Sequence, residues 1–207
     1  MLLLPVRCGA CRRSGSSPCP PCAAGMPVAL PVPARPPLAG VAALLAYQGP
    51  AASLVAGLKV RHNRAAQRWL AEGMALLLPA GTSLLTWAPT SPARIAARGV
   101  DHARLLAEAV GRACGIRCQG TLLRLPGLPQ TGRSRTERLS DGPRFAARYD
   151  LSGHAVVVID DVTTTGATLA AAGRAAVAAG ASMVSGLAAA APPPPPPTTG
   201  PTGRLRV

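Results

Sequence analysis

The chain has 207 residues, a formal net charge of +14, and 48% hydrophobic but only 2% aromatic residues. This length suffices for one α/β domain with a small appendage. No apolar stretch is long enough to cross a membrane, and the first five residues lack the basic start and apolar core of a secretion signal. We therefore expect a cytoplasmic protein without membrane insertion, whose positive charge suits a polyanion, either nucleic acid or a small molecule with several phosphates.

Four cysteines near the start of the chain form two CxxC pairs, Cys8–Cys11 and Cys19–Cys22. Each CxxC turn directs two thiolates to one point, and two such turns complete a tetrahedral Zn²⁺ site at about 2.3 Å per sulfur. Two disulfides or a redox dithiol are the alternatives, but the absence of a secretion signal disfavours the first and the paired motifs favour metal. We predict a structural zinc module over residues 1–25, folded by its metal because it has no apolar core of its own.

The next hundred residues alternate between strand and helix patterns. Residues 26–40 are rich in Pro, Ala and Val and are typical of a linker. Apolar periodicity then predicts a strand at 41–46, helices at 51–59 and 65–78, a strand at 84–89, a helix at 103–113 and a strand around 119–125. We interpret Arg94–Gly99 as a basic turn, and we expect Cys114 and Cys118 to pack as small apolar residues.

Two segments carry no strong helix or strand pattern. Residues 126–150 contain an arginine-dense polar stretch, Gln130–Arg138, of the sort found in mobile active-site loops, although a merely solvated loop fits as well. After a last strand around 182–187, the prolines at 192–197 favour an extended conformation. We expect residues 191–207 to be a disordered tail.

The most informative segment joins a buried strand to a helix. Val156–Ile159 is a β-branched run that ends in two carboxylates, Asp160 and Asp161, followed by the threonine- and glycine-rich loop 163–168 and an alanine-rich helix at 169–179. Backbone N–H groups and a helix N-terminus can hold a phosphate there, and the acids can hold ribose hydroxyls or Mg²⁺. An ordinary turn and capped helix do not explain two adjacent acids, because unpaired buried charge is costly.

Strands that alternate with helices predict a parallel sheet with right-handed crossovers over residues 41–190. Ligands bind such sheets at the carboxyl ends of the strands. The acid pair, the segment at 87–98 and the loop at 130–138 can all reach that edge.

Five motifs in order along the chain narrow this prediction. They are the double CxxC, Tyr47-x-Gly49-Pro50 with Leu58-Lys59, Pro89-x-Ser91-x-x-Arg94 with Arg98-Gly99, Gln130-x-Gly132-x-Ser134-Arg135-x-Glu137-Arg138, and Asp160-Asp161-Val162-Thr163-Thr164-Thr165-Gly166-Ala167-Thr168. Over roughly residues 6–190 the chain resembles the ComF family of competence-associated, phosphoribosyltransferase-like proteins. The last motif is that of type I phosphoribosyltransferases generally.

The resemblance implies a type I phosphoribosyltransferase-like sheet that binds phosphoribosyl pyrophosphate (PRPP) with Mg²⁺. Asp160 and Asp161 would be the catalytic pair and bind the ribose hydroxyls, the threonine loop would surround the 5′-phosphate, and the arginines would face the pyrophosphate. The implied PRPP-binding residues are Asp160, Asp161, Thr163, Thr164, Thr165, Gly166, Ala167, Thr168, Arg94 and Arg98.

The chain departs from the family at two places. The family's frequent Arg-Gly-Phe-Asn-Gln is Arg98-Gly99-Val100-Asp101-His102 here, and a frequent Asn is Asp141. Both changes add negative charge near a site for anions.

Three functions fit these features. The first is a Mg²⁺- and PRPP-dependent transferase with an unidentified nitrogenous acceptor. The second is a non-catalytic protein that senses PRPP or a nucleotide and assists DNA uptake, with the zinc module as a docking surface. The third is nucleic-acid binding by the arginine-rich face, which would weaken steeply with salt. Candidate partners are the DNA-uptake machinery, single-stranded DNA and further copies of this chain.

Overall fold

A computed structural model describes residues 6–61, 63–126 and 142–193, apart from the side chains of residues 59–61 and 98. The elements in chain order are α1 (Pro20–Ala24), β1 (Val41–Ala46), α2 (Gly49–Arg61), α3 (Arg64–Ala75), β2 (Leu84–Trp87), α4 (Pro92–Arg98), α5 (His102–Cys114), β3 (Leu122–Arg124), β4 (Phe145–Ala147), β5 (Ala155–Val162), α6 (Ala167–Ala178) and β6 (Met183–Ala191). Within these ranges, no helix is long and apolar enough to cross a membrane.

Four parallel strands form the main sheet in the order β1-β6-β5-β2. Strand β5 lies inside the sheet because its run of β-branched residues is apolar on both faces. Val157 and Ile159 pack with α2, α3 and α5, whereas Val156 and Val158 pack with α6. The predicted α/β fold, a parallel sheet with flanking helices, is confirmed, and the carboxyl ends of its strands meet at one edge.

Two secondary-structure expectations near that edge were wrong. Residues 92–98 form a helix instead of a turn, because Ser91 caps it by accepting a hydrogen bond from Arg94 N, Pro92 starts it, and Gly99 ends it at a φ of 78°. Strand β5 runs on through both acids to Val162, where the prediction ended it before them.

The expected third strand is divided between two sheets. Residues 117–119 run beside β2, with Leu85 N donating to Arg117 O and Gln119 N donating to Leu85 O, both at 2.9 Å. The chain then leaves the sheet, and β3 pairs antiparallel with β4, a strand that the sequence pattern did not predict. This β3–β4 ribbon packs on α6 and the same face of the sheet through Leu122.

The amino-terminal cysteine segment packs against the main sheet domain. Cys8, Cys19 and Cys22 belong to the same buried cluster as Leu54 of α2. The contact is close enough that a Cβ atom at Gly57 would lie 3.1 Å from the carbonyl oxygen of Gly9.

The segment between the cysteines and the sheet follows the outer edge of β1. Val28 forms an antiparallel bridge with Leu45, and Ala29 N donates to Leu44 O at 3.2 Å. Near its end, Leu38 is buried against α6. Pairing of this kind covers edge-strand hydrogen-bonding groups that would otherwise face solvent.

Candidate functional site

A polar cleft of about 400 Å³ opens at the carboxyl edge of the sheet. It lies where β2 and β5 end, and α4, the start of α5, β3 and the start of α6 complete its walls. The residues that line it are Ala88, Pro89, Thr90, Arg94, Asp101, His102, Ala103, Arg124, Pro143, Asp160, Asp161, Val162 and Thr168.

The acid pair is held in place by the strand itself. Asp160 and Asp161 are half-buried residues of β5, and both line the cleft. The Oδ1 atom of Asp160 accepts a hydrogen bond from Asp161 N, and the Oδ1 atom of Asp161 accepts one from Val162 N, each at 2.8 Å. These contacts orient both carboxylates at the strand end, where they can bind hydroxyl groups or a cation.

The threonine loop divides into a buried start and an exposed end. Thr163 is buried and donates its N–H to Ala190 O at 3.0 Å, so it joins the loop to β6. Thr164 and Thr165 are exposed, and Gly166 takes a left-handed φ of 70° that an L side chain would strain. Helix α6 follows at once.

The two sides of the first turn of α6 face different clefts. Thr168 lines the cleft of the acid pair, and Ala167 lines a neighbouring one. The turn carries no acidic residue, and its positive end suits an anion; the first of its N–H groups, that of Ala167, donates to Thr165 Oγ1 at 3.4 Å.

Two arginines line the same cleft as the two acids. Arg94, predicted from the sequence, is exposed on α4. Arg124 was not predicted as a site residue. It is half-buried on β3, its Nη1 donates to Pro89 O at 3.4 Å, and its Cζ lies 5.7 Å from the ring centroid of Phe145.

The electrostatics of Arg124 show that these charges influence one another. Burial lowers the pKa of its guanidinium below the ordinary 12.5, and the positive charge of Arg94 lowers this pKa further, whereas Asp160 raises it. An anion bound between the arginines would remove the repulsion that Arg94 exerts. The only signal in the sequence was the position of Arg124 at the end of the expected third strand.

Asp101 joins two walls of the cleft. Its Oδ2 accepts a hydrogen bond from Thr90 N at 3.0 Å, and its Oδ1 caps α5 by accepting one from Arg104 N at 3.4 Å. The Asp101 carboxylate therefore interacts with backbone N–H groups and with the positive end of a helix.

Part of the predicted site lies outside the described residues. This applies to the loop at 130–138, to Asp141 and to the side chain of Arg98, whose backbone ends α4. Of the predicted PRPP-binding residues, the structure brings Arg94, Asp160, Asp161 and Thr168 together around one cleft.

The four amino-terminal cysteines form a second candidate site. All four Sγ atoms lie within 4.8 Å of one another, and those of Cys11 and Cys19 are 3.6 Å apart. Four sulfurs around one Zn²⁺ at about 2.3 Å are separated by about 3.8 Å, so the cluster fits this metal with small adjustments. Cys11 is exposed, while the other three are largely buried.

The thiol pKa values also favour a cation at this cluster. Burial raises the pKa of Cys8, but hydrogen bonds from the backbone of Cys11, Cys19 and Ala10 outweigh it and lower the pKa from 9.0 to about 6. Burial and the three neighbouring cysteines raise the pKa of Cys22 to about 12. The first thiolate thus forms easily and the last one does not, unless a metal ion neutralises the group.

The remaining two cysteines pack as predicted. Cys114 and Cys118 lie half-buried against the core, and the Cys114 thiol donates to Val110 O at 3.1 Å. Burial, together with the charge of Glu108, raises the pKa of Cys118 to about 11.

Comparison with known proteins gives matches among solved structures alone. No family model matches the chain, and no curated protein matches it. The glutamine PRPP amidotransferase from B. subtilis, complexed with ADP and GMP, matches at 20% identity over 59% of this chain and 26% of its own, with a TM-score of 0.42. This chain thus spans about a quarter of that enzyme.

Two smaller enzymes match as well. The purine phosphoribosyltransferase from Pyrococcus horikoshii is 16% identical over 59% of this chain and 67% of its own, with a TM-score of 0.36. The adenine phosphoribosyltransferase from Leishmania tarentolae is 15% identical over 70% of this chain and 61% of its own, with a TM-score of 0.38. All three TM-scores lie below 0.5, so the fold class of this chain rests on its own parallel sheet and flanking helices.

Proposed function

We propose that the acid-pair cleft binds PRPP with Mg²⁺ and that the chain is a phosphoribosyltransferase-like protein of the ComF type. The observation that carries the proposal is the convergence of Asp160, Asp161, Arg94, Arg124 and Thr168 on one cleft of about 400 Å³. A ligand with hydroxyl groups in its middle and phosphates at both ends matches this arrangement of charges.

Each part of PRPP has a counterpart in the cleft or in the threonine loop beside it. The carboxylates of Asp160 and Asp161 accept hydrogen bonds from the ribose hydroxyls. The loop at 164–168 and the start of α6 surround the 5′-phosphate with N–H groups and threonine hydroxyls. Arg94 and Arg124 contact the pyrophosphate, because a guanidinium pairs its planar fork with phosphate oxygens.

The donor set also fits Mg²⁺. This ion prefers oxygen ligands and is commonly held by one or two carboxylates together with substrate phosphates. Asp160 and Asp161 supply such carboxylates beside the arginines that face the pyrophosphate. When bound there, the ion would neutralise charge on the leaving pyrophosphate.

The reaction requires charged groups at fixed positions more than it requires a strong base. A nitrogen atom of the acceptor bonds to C1 of the ribose as the C1–oxygen bond to pyrophosphate breaks, the bonding electrons leave with the pyrophosphate, and the proton that the acceptor nitrogen loses passes to the departing pyrophosphate or to water. The sugar becomes cationic in the transition state. The two carboxylates can stabilise that cation, and the two arginines can stabilise the leaving anion.

Calorimetric titration of PRPP in the presence of Mg²⁺ tests the binding site. We expect Asp160→Asn with Asp161→Asn to abolish binding without unfolding the domain. Glu72→Gln with Glu108→Gln is the matched control, because it changes the net charge equally at two surface ion pairs, Arg68–Glu72 and Arg104–Glu108. Equal PRPP affinity in the two double variants would refute the assignment.

Release of pyrophosphate from PRPP with a panel of nitrogenous bases tests the chemistry. Release that depends on one base supports a transferase and identifies its acceptor. Binding without release from any base would replace the transferase by the non-catalytic alternative, a PRPP or nucleotide sensor that assists DNA uptake.

A further inference from the structure

A second, wider cleft of about 560 Å³ lies beside the first, on the other side of α6. Its described lining contains three arginines and no carboxylate. The lining residues are Arg35, Pro36, Gly142, Pro143, Arg144, Ala167, Ala170 and Arg174. Pro143 lines both clefts, so the two are adjacent but separate.

Close packing holds the turn that carries Arg35 against α6, the helix of Arg174. Gly173 lacks a side chain where Leu38 lies, since a Cβ atom there would be 2.6 Å from Leu38 Cδ2. Leu38 is buried in this position, and its N–H donates to Arg35 O at 3.0 Å, which closes the turn that carries Arg35. The turn that carries Arg35 therefore packs against α6 at Gly173, the residue before Arg174.

The third arginine comes from the start of the β3–β4 ribbon. The carbonyl oxygen of Arg144 accepts a hydrogen bond from Leu125 N at 2.8 Å, one step beyond the pair Arg124–Phe145. Three separate segments thus each contribute one exposed arginine to the same cleft. Backbone hydrogen bonds and packing hold the segments of Arg35 and Arg144 beside α6, which carries Arg174.

Three guanidinium groups around one cleft raise the positive potential there, which attracts an anion. Arginine forks pair with phosphate oxygens in particular, and groups from three directions can contact several oxygens at once. A lone surface arginine has neither property. Among the residues that the structure describes, the lining contains no carboxylate that would compete with such a ligand.

We propose that this cleft is a second anion site, which binds a small molecule bearing phosphate groups. It is separate from the acid-pair cleft, and its ligand contacts Arg35, Arg144 and Arg174. Because adjacent residues of α6, Ala167 and Thr168, line one cleft each, a ligand in either cleft lies against the same turn of helix.

Calorimetric titration of inorganic pyrophosphate without Mg²⁺ tests this proposal on the full chain. We expect Arg35→Ala with Arg174→Ala to weaken pyrophosphate binding at least tenfold. The matched control is Arg68→Ala with Arg112→Ala, which removes two exposed arginines from α3 and α5 on the opposite face of the sheet. A smaller loss relative to this control would overturn the proposal.

A second variant tests which of the two clefts binds the anion. Arg94→Ala with Arg124→Ala removes the arginines of the acid-pair cleft and should abolish any pyrophosphate binding there, while the binding that Arg35→Ala with Arg174→Ala weakens stays in place. If that variant loses the binding instead, the anion occupies the first cleft and the proposal is wrong. PRPP binding with Mg²⁺ is measured separately on the wild-type chain, so its failure would sink the proposed function and leave the second anion site standing.

Discussion

Replacing Arg124 by alanine is the most direct check on how the cleft is built. The side chain is half-buried, and the positive charge of Arg94 repels its own. Its guanidinium group lies over the aromatic ring of Phe145. In the proposed complex it would donate charge-assisted hydrogen bonds to the pyrophosphate. Its removal should therefore weaken PRPP binding far more than it weakens the fold.

The expected magnitudes separate the two effects. A hydrogen bond to a charged group contributes about 1.5–3 kcal/mol, which corresponds to a loss of about 10- to 150-fold in affinity. Loss of the contact with the Phe145 ring costs about 0.5–1 kcal/mol of folding free energy, and the 3.4 Å hydrogen bond to Pro89 O adds little. The free energy of unfolding should thus fall by about 1 kcal/mol.

Calorimetry with PRPP and Mg²⁺, together with urea denaturation, measures both quantities. Arg148→Ala is the matched control, because this exposed arginine follows β4 in the same ribbon but does not line the cleft. Arg124→Lys keeps the charge without the planar fork and should fall between the two. The reasoning is refuted if the PRPP affinities of Arg124→Ala and Arg148→Ala agree within about threefold, since charge-assisted contacts are worth more than that.

Two further predictions concern the cysteine module. Metal analysis of protein purified under reducing conditions should find one Zn²⁺ per chain, and substantially less would reject the four-cysteine site. Asn63 accepts from Ala66 N as the cap of α3 and donates to Arg7 O and Ser17 Oγ at 2.8 and 3.1 Å. Asn63→Ala should therefore lower the free energy of unfolding in urea by about 2 kcal/mol, and Asn63→Asp, which keeps the cap acceptor, by less; equal losses would contradict this division.

Local sequence patterns predicted the parts of the fold that depend on neighbouring residues. The strand at 41–46, the β-branched start of β5 and the helices around them lie within a few residues of their expected positions. Apolar periodicity sufficed there because each element buries its face against the sheet. The helix α4 was missed although Ser91, Pro92 and Gly99 are ordinary start and stop residues, since its basic composition suggested a turn instead.

The parts that sequence reasoning missed depend on contacts between distant residues. Residues 122–124 pair with 145–147 across a segment that no local pattern can bridge, and this pairing places Arg124 in the acid-pair cleft and Arg144 in the second one. Likewise, nothing local indicates that Leu38 packs into the gap at Gly173. Positive charge was visible in the composition, but its division between two clefts was not.

Asp101 shows that the effect of a charged side chain depends on the groups that it contacts. From the sequence, a carboxylate in place of asparagine adds negative charge beside a site for anions. In the structure, each of its two oxygens accepts a hydrogen bond from a backbone N–H group. One donor is Thr90 N, and the other is Arg104 N in the first turn of α5. An asparagine in the same orientation would present its NH₂ group, a donor, to one of these two N–H groups. The carboxylate thus helps to fix the wall of the cleft that carries Arg94, because each of its oxygens holds one backbone N–H group.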